Sequence, residues 1–407
     1  DALPISQNCY YVDKTLLIKE LIDNRGKVNL FTRPRRFGKT LTLSMLKYFF
    51  EIEDGSDGNR SANKELFEKL NIYSAGEKYM AESGKYPVIS ISMKNLAMPD
   101  FDRAYEAFSG LIASEYHRHK IVLESNCLSG NEAERYSRIM AGKGSYVEFA
   151  DSLKFLSECL GKYYGEKCIL LIDEYDVPLE NAWRHEYYQS LVDFIRLLFS
   201  SALKTNGSLN FAVITGCLRI SKESIFTGLN NPNTISVLSN EYDEFFGFTH
   251  EEVTNMLEYY GLAELLDEVR DWYDGYIFGR KKIYNPWSIM NYVKDHIVDR
   301  AYLPRPYWSN TSSNAIVKEL IDRAADVSDY EEIEKLINNE TIEKPVHEDI
   351  TYEDIYSSKD NLWNFLFFTG YLRKVSERLD NTDLFLELKI PNKEVLNIYQ
   401  SKIRNRF

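Results

Sequence analysis

Eight consecutive residues, Arg33-Pro34-Arg35-Arg36-Phe37-Gly38-Lys39-Thr40, constrain this chain more than any other segment. Before them runs Val28-Asn29-Leu30-Phe31, a short apolar stretch that reads as a strand. After them Leu41–Phe50 carries apolar residues at helical spacing. Strand, Gly-Lys-Thr turn, helix is the context a phosphate-binding loop requires. Such a loop aims backbone N–H groups at a polyanion, starts a helix there and adds one mobile cation. Gly38 permits close backbone approach, Lys39 reaches the β- and γ-phosphates of ATP, and the Thr40 hydroxyl ligates Mg²⁺. The expected contact set is Arg35, Arg36, Phe37, Gly38, Lys39, Thr40 and Leu41. The glycine that usually opens G-x-x-x-x-G-K-T would fall at position 33, where this chain has arginine. Arg35 and Arg36 read equally well as phosphate contacts, as solvent-exposed side chains or as partners of an acid.

A second segment complements the first. Ile169-Leu170-Leu171-Ile172 is an apolar strand ending in Asp173-Glu174. Asp173 can hold Mg²⁺ through water, and Glu174 can orient and deprotonate an attacking water. Asp176 is tempting as a further ligand. The following Val177-Pro178-Leu179-Glu180 looks like a helix start, so N-capping is the expected role. A third run, Phe211-Ala212-Val213-Ile214, leads into Thr215-Gly216-Cys217-Leu218-Arg219. Ligands of doubly wound sheets sit beyond the strand C-termini, which puts Thr215 beside Glu174, where it can hold the attacking water. Arg219 has two readings, a sensor of the γ-phosphate acting within or between subunits, or a surface ion pair. The first of these, acting in trans, would need an oligomer.

With Val88–Ser92, these apolar runs alternate with helical stretches at 101–121, 147–163 and 186–203. The pattern predicts an α/β fold, a P-loop NTPase parallel sheet with helices on both faces, spanning residues 1–245. An earlier helix is expected over 10–23, with Asp13 as its N-cap. Thr249-His250-Glu251-Glu252 opens a helical region, expected as a lid over 246–340. A helix near 360–369 followed by Tyr371–Val375 and Leu384–Ile390 predicts a winged-helix-like unit over 341–395. Asp383, Glu387 and Lys389 imitate a nuclease core but sit too close together for carboxylates on separate strands, so the stretch reads as the wing.

Composition trims the alternatives. The net charge of −13 discourages nucleic acid or anionic membrane as partners of the whole surface, leaving only a local groove. Aromatics make up 14% of the 407 residues, and without a basic excess they are read as core and interdomain packing. Cys9, Cys127, Cys159, Cys168 and Cys217 are scattered, which predicts reduced thiols and a cytoplasmic protein. His117 and His119 lie in a charged stretch and are expected to be solvated. No apolar run of about 18 residues is present, so no membrane span is expected. The chain opens at Asp1 instead of Met, as expected of one that begins inside a longer gene product.

The ordered motifs together resemble the bacterial AAA-ATPase-like family. They are Tyr11–Thr15, Arg33–Thr40, Leu171–Leu179, Thr215–Asn231, Phe246–Thr249, Trp272–Tyr276, Tyr284–Ser288 and Ile390–Val395. The resemblance implies a P-loop ATPase related to STAND and archaeal-type ATPases, with the arginine at position 33 a family trait. It also implies a C-terminal PD-(D/E)xK nuclease-like domain beyond Val395, so 396–407 would be the start of a linker to a domain missing here. Nucleic acid is thereby an expected partner, through that domain or the winged-helix-like unit. The Trp272–Tyr276 and Asn285–Ser288 motifs carry no evident chemistry and are read as packing between sheet domain and lid, with Gly275 at a turn.

Overall fold

A computed structural model describes residues 10–52, 63–219, 225, 232–310, 327–348, 352, 355 and 358–404. The chain divides into two compact units, Asp1–Phe31 with Lys39–Ile235, and Thr32–Gly38 with Ser236–Phe407.

The first unit is built on strands β1 (Val28–Thr32), β2 (Val88–Ser92), β3 (Cys168–Asp173), β4 (Leu209–Gly216) and β5 (Asn233–Ile235). β1 and β3 are buried at every position, which is why their sequences are apolar without alternation. The strands form a five-stranded sheet in the order β2-β3-β4-β1-β5. Val88 pairs with Ile169, Ile169 with Phe211 and Asn29 with Asn233, each in parallel. Because β4 stands between β1 and β3, the end of β4 lies between the ends of the two strands that carry the motifs.

Helices flank this sheet. α1 (Leu16–Asn24) precedes β1, and α2 (Lys39–Phe50) follows it. α3 (Phe101–Arg118), α4 (Gly130–Met140), α5 (Tyr146–Ala150) and α6 (Ser152–Tyr164) lead to β3. α7 (Val177–Arg184) and α8 (Tyr188–Phe199) lead to β4. α8 buries Leu191, Val192, Phe194, Ile195 and Leu198, an apolar stripe of helical period. Aromatic residues pack in this core: Phe108 on Phe194, and Phe50 on Phe211.

The second unit opens with β6 (Phe248–Thr249) and α9 (His250–Tyr259), whose start is closed by the Thr249–Glu252 capping box. After α10 (Leu266–Tyr273), β7 (Tyr276–Phe278) and β8 (Lys281–Tyr284) complete a small antiparallel sheet in the order β6-β8-β7. α11 (Pro286–Val298) is N-capped by Asn285, whose side chain accepts from the amides of Trp287 and Ser288. α12 (Val327–Ile337), β9 (Ile342–Pro345), α13 (Lys359–Phe368), β10 (Arg373–Asp380) and β11 (Asp383–Lys389) follow. Their strands are ordered β10-β11-β9, and α14 (Lys393–Arg404) closes the described chain.

Several expectations shift. Asp13 does not cap α1, which starts at Leu16 behind Thr15. The Asp13 carboxylate accepts from the Thr15 amide at 2.8 Å and hydroxyl at 2.6 Å, and from the Asn71 amide at 2.6 Å. It satisfies the first amide of a different helix, Asn71–Ser74. The region after residue 245 is less purely helical than its pattern suggests, because β6 to β8 are only two to four residues long. His119 is buried, its Nε2 3.1 Å from the Val88 carbonyl, while His117 is exposed. Asp383–Lys389 is a paired strand, and Glu387 accepts from Thr341 and Ser376. Cys127, Cys159, Cys168 and Cys217 are free thiols, and Cys9 lies outside the described residues. So does most of 220–231 in the Thr215–Asn231 motif. Among the described residues no helix is long and apolar enough to cross a membrane.

Candidate functional site

β1 delivers the chain into the Arg33–Gly38 turn, and α2 starts at Lys39. Two residues of the turn take left-handed backbone, Arg36 (φ 69°) and Gly38 (φ 84°). A Cβ at Gly38 would touch nothing within 4 Å, so glycine supplies the conformation there and not space. Arg33 has no such backbone, so position 33 does not demand glycine. Its side chain is fully buried. Phe37 is buried too, Arg35 and Arg36 are half-buried, and Leu41 is exposed. The Arg36 guanidinium lies over the Trp287 ring at 4.3 Å, and burial lowers its pKa against the opposing charge of Glu394. An aromatic ring and an acid are thus the surroundings of Arg36.

At the ends of β3 and β4 short polar groups bind one another. The Thr40 hydroxyl donates to Asp173 Oδ2 at 2.6 Å. The Thr215 hydroxyl donates to Asp173 Oδ1 at 2.6 Å and accepts from the Glu174 amide at 3.4 Å. Both carboxylate oxygens of Asp173, which is only 4% exposed, are engaged in this way. Thr215 therefore does stand beside Glu174, as the strand-end argument expects. Lys39, at the start of α2, is nearly buried, with Nζ 3.8 Å from Cys217 Sγ. Arg219 lies on the segment leaving β4 and is half-buried.

Glu174 turns off the strand with φ 52°, a left-handed conformation uncommon for a side chain of this kind. Its pKa is raised, first by burial and then by Asp173 and Asp176, with Lys39 and Lys94 opposing. Asp176 stands at the N-cap position of α7 but makes no side-chain capping bond. Its carboxylate instead reaches across to accept from the Cys217 amide at 2.7 Å and the Leu218 amide at 3.2 Å. The local pattern hid this role because its partners lie more than 40 residues away. Cys217 was likewise not singled out by its sequence.

The arrangement can hold a polyanion at a helix start, offers oxygen donors suited to a hard cation, and keeps a carboxyl of raised basicity beside them. The profile of a family described as "Predicted AAA-ATPase" matches residues 4–226. The chain belongs to the AAA-ATPase-like family. This AAA-ATPase-like match takes in Arg33–Thr40, Asp173, Glu174, Thr215 and Arg219. An uncharacterized protein in the vnfD 5′ region of Azotobacter chroococcum mcd 1 is 30% identical over 315 residues. That alignment covers 77% of this chain, which spans about half (52%) of the relative's length.

Proposed function

We propose that the chain binds MgATP on Arg33–Leu41 and hydrolyses it, the cycle serving as a conformational switch for an attached or partner effector. The observation that carries this reading is the run of hydrogen bonds Thr40–Asp173–Thr215–Glu174 next to the first turn of α2. Lys39 supplies a cation for the β- and γ-phosphates, and the amides at the helix start receive phosphate oxygens. Arg35, Arg36 and Leu41 border the phosphates, and Phe37, its ring buried, faces them only through its backbone. Glu174 takes the proton of the attacking water, and its raised basicity suits that task. Thr215 orients the same water, and Arg219 senses the γ-phosphate.

Thr40 and Asp173 suit Mg²⁺ because both offer oxygen, 2.6 Å apart. Among the described residues no group of three His, Cys, Asp or Glu could hold a metal. Bound there, a cation would complete its shell with water and phosphate oxygens. When bound, it would neutralise charge building on the transferred phosphoryl group.

In the second unit, α9–α12 are read as the lid, and β9 to β11 as winged-helix-like, from helix α13 followed by a hairpin that pairs with β9. The alternative, a nucleic-acid-processing module, has less support. α13 is buried from Leu362 to Phe368, and the tip of the β10–β11 hairpin carries Asp380 and Asp383. The nuclease-like domain rests on resemblance alone.

The test is phosphate release and ATP binding by the purified chain beside Lys39→Ala and Glu174→Gln. Lys39→Ala should lose binding, and Glu174→Gln should bind without turnover. Equal ATP affinity in wild type and Lys39→Ala would sink the reading.

A further inference from the structure

The arginine at position 33 and the motifs without evident chemistry have one physical explanation. Arg33 is fully buried, its guanidinium 5.1 Å from the Phe278 ring centre and 5.5 Å from that of Phe246. Its nitrogens donate to the carbonyls of Thr32 at 3.0 Å and Tyr242 at 3.4 Å. At the other end of the turn, Phe37 is also fully buried. It meets Tyr276 edge-on at 5.0 Å and Phe278 at 5.1 Å. Phe278 thus touches both ends of the turn. A Cβ on Gly247 would lie 2.9 Å from the Phe37 ring and 2.3 Å from Ile283, so only glycine at 247 lets the ring lie there. Through these contacts Thr32–Gly38 groups with Ser236–Phe407, although the turn is covalently the end of β1.

A guanidinium is costly to bury, and its contacts with aromatic rings offset part of that cost. We propose that Arg33 and Phe37 are positioning residues: side-chain anchors at both ends of the phosphate loop, held by Phe246, Tyr276 and Phe278, that shape it before the anion arrives. They take over the part usually left to the first glycine. A loop already ordered binds phosphate without the cost of ordering it. The proposal rests on the ATP-binding reading for its ligand, but the shape of the loop can be measured without ligand.

The decisive variant is Arg33→Gly, which restores the customary G-x-x-x-x-G-K-T pattern. The proposal expects it to weaken MgATP binding by about tenfold or more, measured calorimetrically. Phe37→Leu, which keeps apolar burial and loses the ring contacts, should fold, raise the KM for ATP and leave kcat at saturation within about twofold. Amide hydrogen exchange across residues 33–40 of the nucleotide-free protein should quicken in both variants. If wild type binds no MgATP, the ATP reading fails, and quicker loop exchange in the variants still supports the anchoring. If wild type binds and Arg33→Gly binds equally well, the anchoring is overturned. Should Arg33→Gly not fold, Phe37→Leu decides: unchanged KM with unchanged loop exchange, or a fall in kcat alone, overturns the proposal.

Discussion

The two halves of the candidate site are held in different ways. At the ends of β3 and β4, Thr40 and Thr215 each donate a 2.6 Å hydrogen bond to Asp173, and Thr215 accepts from the Glu174 amide at 3.4 Å. In the Arg33–Phe37 turn, aromatic rings pack against a buried guanidinium and against the Phe37 ring. A hydrogen-bonded cluster depends on single atoms, so changing one oxygen to nitrogen is felt at once. An aromatic cradle depends on area and shape, and it tolerates a substitute of similar volume. The first region is arranged for proton and charge chemistry, the second for shape. Substitutions that separate turnover from affinity therefore probe the first region, and those that separate affinity from turnover probe the second.

The largest effect belongs to Glu174→Gln. Phosphate release should fall by roughly 10²- to 10⁴-fold while ATP affinity stays near wild type. The acid limb of the wild-type rate profile should lie above the ordinary carboxylate range, because burial and the charges of Asp173 and Asp176 raise Glu174. Equal losses of affinity and rate would erase the contrast between the two regions.

Next comes Glu394, in the second unit. It is fully buried and accepts from Ser288 Oγ at 2.9 and 2.8 Å and from the Trp308 amide at 2.8 Å. Burial pushes its pKa up to about 7, against those donors and the charge of Arg36. The phenols of Tyr273 and Tyr276 also face it. The folded state therefore holds its proton at pH values where the unfolded chain has released it. The stability contributed is full below about pH 4.5 and is lost as pH rises through about 7. The loss amounts to about 3 kcal/mol. Denaturant unfolding of the second unit across this range should show that slope, and Glu394→Gln should flatten it. A stability rising with pH in that window would contradict the assignment.

Asp176→Ala is the third in size. It removes the acceptor of the Cys217 and Leu218 amides and should cost the first unit about 2 kcal/mol in thermal unfolding. Asp176→Asn keeps an acceptor and should cost less. No difference between the two would mean that the amides find other acceptors cheaply.

How far the sequence could be read follows the same division. β1, β3 and β4 were legible because a strand covered on both faces must be apolar throughout, and Asp173-Glu174 stands where such a strand ends. The proximity of Thr215 followed from the sheet alone. Asp176 was misread because its local context, ahead of Val177-Pro178, fits a capping residue, while its carboxylate works at the end of β4. Strands β6 to β9 are too short for a period to register. The rings that hold Arg33 and Phe37 lie more than 200 residues along the chain, and no local pattern announces a ring that distant. His119 was expected in solvent because its neighbours are charged, yet it turns inward to the Val88 carbonyl.

The smallest effect tests where the cradle stops. Arg36 lies between the two anchors and is half-buried, over a Trp287 ring that is 45% exposed. A cation over a ring at an exposed site is worth about 0.5–1 kcal/mol. Its left-handed backbone costs about the same, since φ 69° suits glycine better than arginine. Arg36→Gly should therefore change the stability of the second unit by less than about 1 kcal/mol. Trp287→Leu, which removes the ring and leaves the strain, should destabilise it by about 0.5–1 kcal/mol. Both are read from denaturant midpoints at neutral pH. A loss of more than about 2 kcal/mol in Arg36→Gly would place Arg36 among the anchors and extend the cradle over the whole turn. A change near zero confines the anchoring to Arg33 and Phe37, leaving Arg36 as an arm on the solvent side of the loop.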